Sequence, residues 1–348
     1  MSRMPRDSTR PPPAWRQPKW RPGCLLAVCL LLGVAPARAA VPAASAQKDP
    51  FPAERFTLEQ GDVVAFLGGA DVAAAQQTGH LEALLAAKYR GLGARFRNFG
   101  WEGDTVFAQP RDVGFPPLSA HLQRARASVI ILQFGRAEAM DGRDALPRFL
   151  VAYEKLIVEC AKQTPRLALV TPPPFEHGGG LLPDLSARNA DLAAYAAAIR
   201  DLARVWRLPV VDSFGELGGT THRELSLTDN GLQLTPRGHG LVARAFARQL
   251  GFGAIADRAG LPDEHGAWPN PAFERLRQAV VEKDRLWFNY WRPMNWAFLG
   301  GDRTEQPSSR DHRDPKIRWF PVEMEEFVPL IEQAEARIEE AAGQLALP

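Results

Sequence analysis

Val63-Val64-Ala65-Phe66-Leu67-Gly68-Gly69-Ala70-Asp71 is the stretch that decides the fold. Its opening run is apolar and rich in β-branched residues, the composition of a strand buried on both faces. Gly68-Gly69 then ends the run in a turn where backbone N–H groups can approach a ligand. An amphipathic helix is predicted over 73–90, with Leu84 and Leu85 on its apolar face and Lys88 on its polar one. The same alternation continues along the chain. Strands are predicted at 62–67, 94–98, 128–133, 167–171 and 209–212, and further helices at 143–164, 187–206 and 236–250. Strands alternating with helices imply a parallel sheet covered on both faces. Ligands in such sheets bind at the carboxyl ends of the strands.

Three more segments stand at those ends or before the last of these helices. They are Asn98-Phe99-Gly100-Trp101-Glu102-Gly103-Asp104-Thr105, Leu132-Gln133-Phe134-Gly135-Arg136-Ala137-Glu138 and Thr228-Asp229-Asn230-Gly231-Leu232-Gln233-Leu234. Taken in order and at this spacing, the four segments resemble the four blocks of the GDSL (SGNH) hydrolases, a family of esterases and lipases. Leu227 before the last block, and Thr235-Pro236-x-Gly238 after it, extend the resemblance over roughly 62–250. It implies a flavodoxin-like three-layer α/β/α sandwich with a parallel sheet, the SGNH hydrolase fold. It also implies a nucleophilic Ser in the first block, an oxyanion Gly in the second, an Asn in the third and an Asp-x-x-His pair in the fourth. This sequence has Ala70, Gly103, Ala137, Asn230 and Gln233 at those positions, with Asp229 four residues before Gln233 rather than three.

Ester hydrolysis of this kind needs a hydroxyl that attacks and a base that takes its proton. Ala70 has no nucleophilic atom, and the amide of Gln233 does not titrate near neutral pH. Ala137 removes a side-chain donor from the oxyanion hole, leaving the N–H groups of Gly103 and Gly69. The resemblance therefore implies a ligand cleft of Gly69, Ala70, Asp71, Gly103, Asp104, Ala137, Glu138, Asp229 and Gln233 without an intact catalytic set. Replacement nucleophiles would be Thr105 or Thr171, and replacement bases His80, His121, His177, His222 or His239. None of these has a partner adjacent in sequence. His239, in the first turn of a predicted helix, is expected to face solvent, the alternative being that it points back into the pocket. His177 falls in a glycine-rich loop near the expected pocket mouth. Asp104 and Thr105 are expected to cap a following helix. Asp71, Glu102, Glu138 and Asp229 are likewise expected at helix ends or in solvent, although two suitably spaced carboxylates could serve glycoside hydrolysis and a cluster could bind Ca²⁺. No metal-ligand spacing is present, and neither a metal nor a cofactor is expected.

The two ends of the chain differ from its middle. Arg3, Arg6, Arg10, Arg16, Lys19 and Arg21 precede an apolar run from Cys24 to Val34, and Ala37-Arg38-Ala39 offers small residues for cleavage before Ala40. This is the pattern of an export signal over 1–39, too short to span a bilayer. The expected destination is the periplasm or the medium, with no stable membrane span once the signal is removed. Residues 40–56, rich in Ala and Pro, read as a flexible lead-in. Cys160 alone remains in the mature chain, at a core position of a predicted helix, so no internal disulfide is possible. A formal net charge of +2 leaves no electrostatic footprint for nucleic acid.

Residues 57–252 form the expected hydrolase-like domain, and 253–348 a helical, Trp-rich C-terminal extension with helices at 271–288 and 323–342. Arg292-Pro293-x-Asn295 resembles a feature of a secreted bacterial subgroup of the family. Trp287, Tyr290, Trp291 and Trp296 could form a platform for sugar rings, but the helical spacing of 287 and 291 favours a core-facing stripe. The expected function is that of an exported pseudoenzyme keeping the cleft for a glycan or acylated carbohydrate. The alternatives are an active esterase with relocated catalytic groups, and a scaffold that docks a protein partner through its aromatic tail.

Overall fold

The structure is a computed structural model that describes residues 49–219 and 225–347. The expected export signal, most of the lead-in and His222 lie outside the described residues. Five parallel strands are present: β1 (Val63–Gly68), β2 (Arg95–Asn98), β3 (Val129–Gln133), β4 (Leu167–Val170) and β5 (Val210–Val211). Their order in the sheet is β2-β1-β3-β4-β5. Phe66 lies opposite Asn98 on one side and Ile131 on the other, and Gly68 lies opposite Gln133. The first, second and third blocks therefore leave the sheet side by side.

Successive residues along each strand feed opposite faces, as a pleated strand requires. Val64, Phe66, Val129, Ile131, Ala168 and Val170 join one core cluster, and Ala65, Leu67, Ile130, Leu132, Leu167 and Leu169 join the other. The first cluster is completed by α1 (Ala70–Thr78), α2 (His80–Lys88), α7 (Pro236–Gln249) and α8 (Gly253–Ala259). The second is completed by α3 (Leu118–Ala125), α4 (Leu146–Ala161) and α5 (Asn189–Trp206), so the sheet is the middle of three layers. A short α6 (Ser213–Glu216) follows β5. Cys160 is buried in α4, where burial pushes its thiol up to about 12. From the lead-in, Phe51 and Phe56 pack into the first cluster.

Two sequence readings change here. The helix predicted over 73–90 is two helices broken at Gly79, whose φ of 69° closes α1 in the left-handed region. A Cβ there would meet Val281 Cγ2 at 3.0 Å and the Arg277 carbonyl at 3.1 Å, so the break also makes room for a later helix. The short helix α3 has no counterpart in the sequence reading; it opens after Pro116-Pro117, and only His121 and Leu122 of it are buried.

The C-terminal region is helical: α9 (Pro271–Trp291), α10 (Trp296–Leu299), α11 (Trp319–Glu325) and α12 (Phe327–Gly343). Of its apolar residues, Phe273, Leu276, Val280 and Ile338 belong to the first core cluster, and Trp287, Trp291 and Ile331 to the second. Helix α9 lies along the edge strand β2. Arg95 and Phe99 donate their N–H groups to Asp62 and Phe66, so the alternate carbonyls of Phe96 and Asn98 turn away from the sheet. Lys283 Nζ donates to the Phe96 carbonyl at 3.1 Å and Trp287 Nε1 to that of Asn98 at 2.9 Å. One helical turn rises about 5.4 Å and two strand residues about 6.6 Å, so side chains four apart on α9 match carbonyls two apart on β2. Lys283 is fully buried and also bonds Glu82 at 2.7 Å and Asp284 at 2.6 Å. Nearby, Arg97 of β2 pairs with Glu335 of α12 at 2.5 Å. Among the described residues no helix is long and apolar enough to cross a membrane.

Candidate functional site

The site begins where β1 ends. Gly69 caps α1, and Ala70 is the first residue of that helix, with its methyl exposed. A Cβ on Gly69 would lie 2.8 Å from the Asp104 carbonyl, so the first turn packs directly on the second block. Asn98 locks the two together. Its Nδ2 donates to the Val72 carbonyl at 2.7 Å and its Oδ1 accepts from Gly100 N–H at 2.8 Å. Gly100 has no room for a side chain, since a Cβ would sit 2.5 Å from Ala73 N. Gly103, by contrast, is exposed and faces open space.

The third block is tied to both. Arg136 Nη1 donates to Asp71 Oδ1 at 2.7 Å, and Nη2 to the Pro174 carbonyl at 3.1 Å, with the guanidinium 5.3 Å over Phe175. Glu138 is buried, accepting from Val106 N–H at 2.8 Å and Gly135 N–H at 2.9 Å. Burial raises its carboxyl above the usual range despite those two donors. Ala137, between Arg136 and Glu138, is exposed.

The fourth block is held through Glu176, in the loop after β4. Its carboxylate accepts from Thr228 Oγ1, Thr228 N–H and Leu227 N–H at 2.8 to 2.9 Å. Its own N–H donates to the Gly231 carbonyl at 3.0 Å. Asn230 Oδ1 accepts from Gln233 N–H at 2.7 Å, and Asn230 Nδ2 donates to Gln233 Oε1 at 3.1 Å. Gln233 is exposed, and so is Asp229. Asp71, Gln133, Leu234 and His239 line one cavity, which joins the fourth block to the first and third.

Several expected roles are corrected by these contacts. His239 is buried in α7 rather than facing solvent. Burial pulls it down to about 4, against the opposing pull of the Asp71 charge, so it is neutral near pH 7. Asp104 caps no helix, because the chain runs on as loop to α3. Its carboxylate takes two bonds from Arg111, at 2.6 and 2.7 Å, and burial raises it. Thr105 Oγ1 accepts from Phe107 and Ala108 N–H in a local turn. Glu102 pairs with Arg292 at 2.7 Å, and Trp101 lies between that guanidinium at 3.7 Å and Arg111 at 4.2 Å. Asp71 and Glu138 stand in first helical turns, partnered as described, and Glu102 and Asp229 are exposed, so of the five carboxylates Asp104 alone departs from the role expected of it.

The other candidate bases and nucleophiles stand apart. Thr171 is buried and donates to Asp212 Oδ1 at 2.8 Å. His80 bonds the Gly266 carbonyl at 2.7 Å, and burial drops it to about 3. His177 accepts from Gly179 N–H through Nδ1 in an exposed loop. Among the described residues no hydrogen bond joins a histidine ring to a Ser, Thr or Cys side chain, and no group of three or more His, Cys, Asp or Glu could hold a metal ion. Sequence reasoning missed the roles of Arg111, Arg136 and Glu176. Arg136 had a signal, the lone cation of the third block, between Gly135 and Ala137. Glu176 had none.

The GDSL-like lipase/acylhydrolase family profile matches residues 61–241. No curated protein matches the chain. Among solved structures, a gut microbial diltiazem-metabolizing enzyme aligns with 57% of this chain and 49% of its own, at 13% identity and a TM-score of 0.47. The alignment thus spans about half of that enzyme. A catalytic mutant of Axe2, an acetylxylan esterase from Geobacillus stearothermophilus, aligns with 57% of this chain and 97% of its own, at 18% identity and a TM-score of 0.45. An alpha/beta hydrolase from the metagenome of Lake Arreo, Spain, aligns with 56% of this chain and 98% of its own, at 17% identity and a TM-score of 0.44. With a matched region covering just over half of its length and a five-stranded parallel sheet that brings the four blocks together, the chain belongs to the GDSL-like lipase/acylhydrolase family.

Proposed function

We propose that this protein is an exported, non-hydrolytic member of its family that keeps the cleft to bind an acylated carbohydrate or related glycan. The observation that carries the reading is the set Ala70, Ala137 and Gln233, exposed at the positions to which the family resemblance assigns Ser, Asn and His. None supplies a nucleophile or a base. The charged groups around them are committed to one another, Asp71 to Arg136 and Asp104 to Arg111. The acyl part of the ligand follows from the chemistry of the family. The carbohydrate part follows from the Arg292 guanidinium on Trp101, which spends one N–H on Glu102 and has others to offer ring hydroxyls. Export is the expected role of the basic, apolar leader. N-terminal sequencing of the protein recovered outside the cytoplasm tests it, and an uncleaved Met1 would refute cleavage before Ala40.

The test of function is turnover of p-nitrophenyl acetate and acetylated xylo-oligosaccharides by the native protein and by the triple variant Ala70→Ser, Ala137→Asn, Gln233→His. A second variant adds Asn230→Asp. Loss of one oxyanion donor alone costs about 10²–10³ in rate, and loss of nucleophile and base leaves at most some 10³–10⁴ over water. The native protein is therefore expected to be inert and a restored variant to gain turnover. Turnover by the native protein well above background sinks the proposal.

A second reading, an active esterase with relocated groups, is favoured by one observation: His239 is buried beside the Asp71 carboxylate. It still needs a hydroxyl that accepts the acyl group, and His239→Ala would abolish any native turnover it explains. The scaffold reading loses ground, because Trp287 and Trp291 are 6% and 5% exposed.

A further inference from the structure

A groove of about 590 Å³ lies at the β2 edge of the molecule, between α3 and the C-terminal helices. That is within the size range of small-ligand pockets, roughly 300–1,000 Å³. Five arginines line it (Arg95, Arg97, Arg124, Arg126 and Arg318) against two acids, Glu325 and Glu332. Arg95 and Arg97 are engaged by Glu335. Arg124, Arg126 and Arg318 form no ion pair among the described residues, so the groove is left with positive charge. Its remaining walls are aromatic: Tyr290 and Trp296 are half-buried, and Trp291 lies between them.

Three buried polar atoms on this lining have no protein partner: Trp291 Nε1, His121 Nε2 and Arg318 Nε. Trp291 is 5% exposed and His121 9%. Leaving such a donor or acceptor unmet is costly, and native proteins bond nearly all of them. Burial, with Arg124 and Arg111 nearby, pulls His121 down to about 4. Its ring is therefore neutral near pH 7, and with the other nitrogen toward the Pro116 carbonyl, Nε2 is an acceptor for a hydroxyl. The indole N–H of Trp291 and the Arg318 Nε–H can only donate.

We infer that this groove is a second binding site, separate from the cleft, for a short anionic oligosaccharide. Arginines free of ion pairs match carboxylate or sulfate groups. The aromatic walls match the C–H faces of pyranose rings, and the lone donors and the imidazole match ring hydroxyls. An acidic peptide would satisfy the arginines but not the mixture of aromatic wall and single donors and acceptors. The reading does not depend on the cleft being inert.

The experiment is calorimetric titration of the full chain with trigalacturonate, a heparin-derived tetrasaccharide, xylotriose and hexaglutamate. The same ligands are then run on the double variant Arg124→Glu, Arg126→Glu. Both side chains are exposed, and a thermal melt confirms that the variant folds. Trigalacturonate, the heparin fragment or both should bind the native protein, the first reporting carboxylate recognition and the second sulfate. The double variant should weaken that binding by roughly tenfold or more, the equivalent of one lost charge-assisted hydrogen bond. Trp296→Ala, on the aromatic wall, should weaken it independently of charge. Three results would overturn the inference: no binding of either charged sugar, binding unchanged by the double variant, or hexaglutamate binding as well as the sugars do.

Discussion

At the carboxyl end of the sheet, Asp71, Asp104 and Glu138 each meet a partner: Arg136, Arg111, and the N–H groups of Val106 and Gly135. At the β2 edge, Arg124, Arg126 and the indole of Trp291 meet no carboxylate or carbonyl among the described residues. The two regions use similar residue types in opposite ways. Around the cleft, charge is spent inside the protein and fixes loops, while the exposed positions carry methyl groups and an amide. In the groove, arginines stay free of ion pairs and buried donors stay unmet on a wall of packed rings. The lesson is that a charged residue near a family site need not serve chemistry, and that an unspent donor far from it can mark a ligand.

Four substitutions or titrations can break or sharpen that contrast. The largest effect is expected from Lys283→Met, since Lys283 anchors the helix that carries the groove's indoles. It would leave Glu82 and Asp284 buried without their cation, a loss of about 3–5 kcal/mol in denaturant unfolding. Acid is next. His239 at the cleft and His121 at the groove both sit near 4 in the folded protein, against an ordinary 6.5. The unfolded chain binds protons first, so their contribution is complete above pH 6.5 and is lost as pH falls toward 4. It amounts to about 3 kcal/mol for each histidine. Glu138, raised by burial, runs the other way, its stabilisation being present in acid and lost as pH rises. Melting temperature followed from pH 7 to pH 4 should fall, and His239→Gln and His121→Gln should each flatten that fall.

Arg136→Ala comes third. It strips Asp71 and the Pro174 carbonyl of a charged donor and should cost about 1.5–3 kcal/mol, with the cleft loosened as seen by hydrogen exchange at 135–139. The smallest effect belongs to Arg292→Ala. Its pair with Glu102 is exposed and its stacking on Trp101 is partly wet, so under about 1 kcal/mol is expected. A larger loss would mean that the Trp101 loop depends on the C-terminal region more than its contacts suggest.

How much of this was legible in the sequence follows from what periodicity can carry. Four of the five strands were readable as apolar runs closed by turn residues, while β2 (Arg95-Phe96-Arg97-Asn98) instead alternates polar and apolar residues, and all were placed to within one or two positions. The core role of Trp287 and Trp291 was readable from their spacing. The break at Gly79 was not, because its cause is the Arg277 carbonyl on a helix some 200 residues later. Nor was the direction of His239. A first-turn histidine faces solvent or core according to what packs above it, and here that includes Asp71 and Arg136. The roles of Asp104 and Glu176 depend on partners met only in space, Arg111 across a loop and Thr228 across 52 positions.

The seating of Lys283 and Trp287 on the Phe96 and Asn98 carbonyls has a further consequence for how the chain avoids its neighbours. An outermost strand with open carbonyls is a template on which another chain can add a strand. Here two side chains on one turn of helix fill those acceptors, so the sheet ends without a strand, loop or second copy to close it. The closure arrives late, because α9 follows β2 by 172 residues and Glu335 meets Arg97 across 238. A nascent or refolding chain therefore carries an open sheet edge through most of its assembly, and the C-terminal helices act as the cap that ends its exposure to self-association.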